Sequence, residues 1–197
     1  MGDEPDTAGT LRPRRRKLRW WALAGGVVAV VATVWWAIDE LPVDDAVARE
    51  TLPIIDAHLR QGWQGMVAHD AAAPGTHWVC TERVIETRQE GDRLRIGLVA
   101  SCDKLSRIGD ELVIGSGYRR QPMVYVLDRS NGALHISNIE LAQDGAGLQR
   151  SVERMFTWLD ARKVLAGWEP EDPASVAPAA FGLPPGTAVR NQWYGSR

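Results

Sequence analysis

The first hydrophobic block of the chain is also its longest. From Trp20 to Ile38 nineteen consecutive residues carry no charge; Arg12, Arg14, Arg15, Arg16, Lys17 and Arg19 precede them, and Asp39 and Glu40 follow. A helix of that length, at about 1.5 Å per residue, spans about 28 Å, close to the ~30 Å hydrocarbon core of a bilayer. The pattern predicts a single transmembrane helix over 20–38, in contact with lipid along its length. Trp20 and Trp21 at one end and Trp35 and Trp36 at the other supply the amphipathic rings that settle at the two headgroup layers. No cation follows the span until Arg49, so the positive-inside bias keeps 1–19 in the cytoplasm as a disordered basic tail. The rest is exported across the plasma membrane. A cleaved secretory signal shares the basic-then-apolar order, but its apolar core is only ~7 to 15 residues and ends at a small-x-small site, which this run lacks.

Beyond the span the pattern changes to helical spacing. Val47, Leu52, Ile55, Leu59, Trp63 and Met66 predict an amphipathic helix from a cap at Asp44 or Asp45 to about Val67, kinked at Pro53 or starting nearer Thr51. Strands follow. Residues 78–88 are rich in β-branched and aromatic types, and Leu94, Ile96, Leu98, Ala100 and Cys102 alternate with other residues, with a QEGD turn between the two runs. Residues 111–118 and 123–127 read as two further strands, with Arg119 and Arg120 at a hairpin tip between them. Asn131-Gly132 is the strongest turn in the chain and joins 123–127 to a fifth strand over 133–141. Leu148, Val152, Met155, Phe156 and Leu159 place an apolar stripe on a last helix ending near Gly167.

These elements define an α+β domain over 39–167: a curved, mostly antiparallel sheet of about five strands, packed on one face by an N-terminal and a C-terminal helix. In element order alone it resembles the cystatin-like and nuclear-transport-factor-2-like architectures, in which a curved sheet wraps a helix, and this likeness carries no activity. Residues 168–197 turn to proline, alanine and glycine and read as an extended tail. Phe181, Trp193 and Tyr194 within it leave open whether part packs back on the domain.

Charge narrows the partners. The whole chain carries −2, but with the basic leader removed 17 basic and 22 acidic residues remain, a net of −5. That balance argues against nucleic acid, which needs a basic stripe to meet phosphates. Arginine outnumbers lysine about seven to one, and with the alanine, glycine and valine content this points to a GC-rich bacterial source.

The two cysteines carry the most specific chemistry. A hairpin centred on Gly91 sets Cys80 opposite Cys102, and an exported domain with an even cysteine count favours a disulfide between them. Glu82 and Glu86 would then share the cysteine face unless a bulge shifts the register.

No catalytic motif is present. His69, Asp70 and His77 lack a third close ligand and defined elements to hold a metal, Ser106, Ser116 and Ser137 have no nucleophile-elbow context, and His58 reads as a helix-edge residue. Neither a metal nor a cofactor is expected. Trp63, Trp78, Tyr118, Tyr125 and Trp158 are numerous enough to line an apolar pocket between sheet and helix, although core packing also accounts for them. The expected function is therefore non-catalytic: a single-pass protein whose exported domain binds another cell-envelope component, with a small-ligand or lipid binder as the alternative.

Overall fold

The computed structural model describes residues 43–61 and 75–191, all within one compact unit, 40–197. The predicted span over 20–38, its tryptophans, the basic block before it, Trp63 and the expected helix end near Val67 lie outside the described residues. Among the described residues no helix is long and apolar enough to cross a membrane.

The order is α1 (Asp45–Arg60), β1 (Thr76–Glu90), β2 (Arg93–Ile108), β3 (Glu111–Ser130), β4 (Ala133–Leu141), a 3-10 turn (Gly145–Gly147), α2 (Leu148–Met155), α3 (Trp158–Leu165), α4 (Pro173–Ala180) and β5 (Val189–Asn191). The domain is α+β, as its pattern predicts. Asp44 caps α1, its carboxylate accepting from the N–H groups of Ala46 and Val47 at 2.8 and 3.2 Å. α1 is a single helix that begins at Asp45, not nearer Thr51, and runs through Pro53; among the described residues it ends at Arg60, with Gln61 as its cap.

The sheet runs β1-β2-β3-β4 with each neighbour antiparallel, and β5 pairs in parallel with Leu112–Ile114 of β3. The β3–β4 turn is Asn131-Gly132, both residues at positive φ (53° and 79°), the twist a two-residue hairpin requires.

Four further expectations need correction. The strands predicted over 111–118 and 123–127 are one strand of 20 residues. Arg119 and Arg120 form no hairpin tip; they are a bulge opposite Ser101, where Arg120 takes φ 53° and its N–H donates to Ser101 Oγ at 3.0 Å. The final helix is two helices, α2 and α3, broken at Phe156 and Thr157. The helices also pack on both faces of the sheet, because the residues between the alternating apolar positions of β2 include Gly97, Val99 and Ser101, which are small or apolar enough to be covered as well.

On the front face Ile55 and Leu59 of α1 pack onto Cys80, Leu94, Ile96, Leu98, Ala100, Cys102, Met123, Tyr125 and Leu127. Val152, Met155, Phe156, Ala161 and Val164 of the α2–α3 pair cover Ile85, Val99 and Val124 on the back. The proline- and alanine-rich segment supplies a third cluster, in which Ala177, Val176, Phe181, Leu183 and Val189 close over Val79, Leu105 and Leu112. Its helix is legible after the fact: Asp172 caps it, accepting from the Ala174 N–H at 3.0 Å, and Pro173 fills the first position, where no donor is needed.

Candidate functional site

β1 stands at one end of the strand order, so among the described residues no strand lies along its outer side. Cys80 and Cys102 are directly opposed, with Cα atoms 4.1 Å apart, the close spacing of a non-hydrogen-bonded pair. In an antiparallel ladder the backbone groups of such a residue point away from its partner strand. The N–H and C=O of Cys80, and by alternation those of Glu82, therefore face outward.

A groove of about 650 Å³ runs along this edge. Arg49, Leu52, Pro53, Asp56 and Arg60 of α1 form its front wall, Cys80, Thr81 and Glu82 its floor, and Glu171 and Val176 its rear wall. The rear wall is held by side chains from the sheet. Thr81 Oγ1 donates to the Glu171 carbonyl, and Arg119, projecting from the β3 bulge, bonds Asp103 and Asp172 at 2.6 Å each. Burial pushes the Asp103 carboxyl up, opposed by the Arg119 guanidinium.

The floor is stapled by the predicted disulfide between Cys80 and Cys102. Its register comes about differently from the expectation: the turn is Gly91-Asp92, with Glu90 paired to Arg93, and a bulge at Ile85 restores the opposition of 80 and 102. The same bulge moves Glu86 off the cysteine face, where it pairs with Gly97, while Glu82 stays there beside α1. The Tyr118 hydroxyl donates to Cys102 Sγ at 2.9 Å, and burial pushes that phenol up to about 12.

Glu82 is the most perturbed acid of the groove. Burial, reinforced by the Asp56 carboxylate and opposed by Arg60, raises it to about 7. Asp56 itself is bound by Arg60 at 2.8 Å. The arrangement provides outward-facing backbone groups, a carboxyl raised to about 7 and flanking charges of both signs. It provides no nucleophile aligned with a base.

Four of the five predicted aromatic pocket residues fall among the described residues, and the structure does not bring those four together. Trp78, Tyr118 and Tyr125 gather under α1: the rings of Trp78 and Tyr118 are 6.4 Å apart, and Tyr125 bonds His58 Nδ1 at 3.2 Å. Trp158 lies apart from them at the start of α3, where it is 56% exposed beneath the Arg162 guanidinium. His77 stands edge-on to Phe181 with ring centroids 5.2 Å apart, while His69 and Asp70 lie outside the described residues. Asp56, Arg60 and Glu171 carried no signal as site residues in the sequence, because they reach the groove from separate segments. Glu82 carried a partial one, as a carboxylate on a cysteine-bearing face.

No protein family, curated protein or solved structure matches the chain.

Proposed function

We propose that this is a single-pass membrane protein whose extracytoplasmic domain binds another cell-envelope protein without catalysis, along the open edge of β1. The observation that carries the reading is the groove on that edge. Outward backbone groups at Cys80 and Glu82 provide the main-chain pairing used when an extended segment adds to a sheet, and Arg49, Asp56, Arg60 and Glu171 supply the charges that select among segments. The disulfide agrees with an oxidising exterior.

Photoreactive residues at Arg49 and Arg60 in intact cells should each capture the same envelope protein, while one at Asp110 in the β2–β3 turn should not. Glu82→Lys should abolish capture. Self-adducts alone at all three positions, under conditions that capture a control complex, overturn the reading. Topology is tested separately: protease added to intact cells should digest the C-terminal domain and spare residues 1–19.

A further inference from the structure

Two adjacent residues of β1 hold the starts of two helices on opposite faces of the sheet. Thr87 Oγ1 accepts from the Asp44 N–H at 2.8 Å, fixing the start of α1, and Glu86 Oε2 accepts from the Thr157 N–H at 3.0 Å, fixing the start of α3. Asp44 is where the described domain meets the chain coming from the uncharged stretch. Residues 39–43 separate that stretch from Asp44, a reach of no more than about 20 Å even fully extended. The starts of α1 and α3 therefore lie at the same end of β1.

The outward side of α3 has an unusual composition for that position. Trp158, Arg162 and Leu165 follow one another at helical spacing, Trp158 is 56% and Leu165 38% exposed, and the Arg162 guanidinium lies 4.9 Å from the Trp158 ring. Trp168, just beyond, is 40% exposed and flanked by Arg83 at 4.2 Å and Lys163 at 5.3 Å. Across α2 and α3, Arg150, Arg154, Arg162 and Lys163 outnumber Glu153 and the buried Asp160, in a domain that is acidic as a whole. Indole rings paired with guanidinium groups match the bilayer interface, where the ring sits among the headgroups and the cation meets lipid phosphate.

We infer that the Trp158–Arg162–Leu165 face of α3 rests on the headgroup layer of the bilayer that holds the anchor, with anionic phospholipid as its ligand. The inference rests on the membrane anchoring proposed above and is independent of the partner at β1.

The chain's two cysteines are paired, so an introduced cysteine is the only free thiol. Full-length Leu165→Cys and Ile108→Cys proteins, labelled with a fluorophore and reconstituted in vesicles of phosphatidylcholine and phosphatidylglycerol, are exposed to a headgroup spin-labelled lipid. Ile108 is the control, 59% exposed at the opposite end of β2. Quenching at 165 should exceed that at 108 at least about threefold, and should fall to the control level when Trp158→Ala and Arg162→Glu are added together or when phosphatidylglycerol is left out. Equal quenching at 165 and 108 in protein that resists alkaline extraction overturns the lipid contact and leaves the anchor standing. Extraction of the protein by alkaline carbonate overturns the anchoring, and this inference with it.

Discussion

Glu86 and Thr157 are joined by a carboxylate-to-backbone hydrogen bond of 3.0 Å that locks a bulge of the edge strand to the start of α3. Thr157 in turn donates its hydroxyl to Asp160 at 2.8 Å, and Lys163 bonds the other Asp160 oxygen at 3.0 Å. Both carboxylates are fully buried, and Arg88 reaches the remaining Glu86 oxygen at 3.6 Å. The break between α2 and α3 is thus a polar joint in an apolar layer.

Burial raises the Glu86 pKa, offset by the Thr157 N–H and by Arg88. The folded protein therefore keeps this proton to higher pH than the unfolded chain does, so the associated stability is complete at acid pH and declines as pH rises above the ordinary value of 4.5. Glu86→Gln should remove that decline while keeping an acceptor for Thr157. Glu86→Ala should cost about 2–4 kcal/mol, because it leaves a buried donor unpaired and opens a cavity. Urea unfolding of both variants from pH 4 to pH 8 checks the pair.

Glu82 follows the same sign in the groove. With its pKa at about 7, stability should fall between pH 4.5 and pH 7 as the carboxyl ionises beside Asp56. Glu82→Gln should flatten the profile over that window and raise stability at pH 8 by roughly 1–2 kcal/mol, after allowance for solvent screening at the groove mouth. A variant whose pH profile matches wild type would show that Glu82 titrates normally.

The Cys80–Cys102 bond closes a loop with a sequence separation of 22. Its removal by Cys80→Ser with Cys102→Ser should destabilise the domain by about 3 kcal/mol, lowering the melting temperature by several degrees or more. Mass spectrometry after alkylation should find no free thiol in the unreduced protein, and two alkylated cysteines there would contradict the bond.

A methyl group at Gly97 would come within 2.8 Å of both Glu86 Cγ and Phe156 Cε1. Gly97→Ala should therefore cost about 1–3 kcal/mol by displacing the ring that closes the back layer, measurable in the same urea assay. A loss below about 0.5 kcal/mol would mean that Phe156 shifts freely.

The cysteine register was legible in the sequence because a short hairpin leaves few alternatives, yet it depends on two offsetting irregularities: the turn is displaced from a Gly91 centre, and the Ile85 bulge compensates. Backbone irregularity also explains what was not legible. The Arg119–Arg120 bulge looks like a turn because its residues are polar and exposed, but Ser101 meets the Arg120 N–H and the ladder resumes beyond it. Gly97, Val99 and Ser101 signal a second buried face only once α2 and α3 are seen to cover them. The groove was the least legible feature, since its walls come from residues 49–60, 80–82, 171 and 176, which share no local pattern.

The parallel pairing of β5 with Leu112–Ile114 has a consequence for how the protein is made. The four antiparallel strands are sequential neighbours and can zip together as synthesis proceeds, whereas the Val79, Leu105 and Leu112 cluster waits for a segment made some eighty residues later. Until the last part of the described chain arrives this patch is uncovered, which makes it a natural place for a chaperone to hold the unfinished domain.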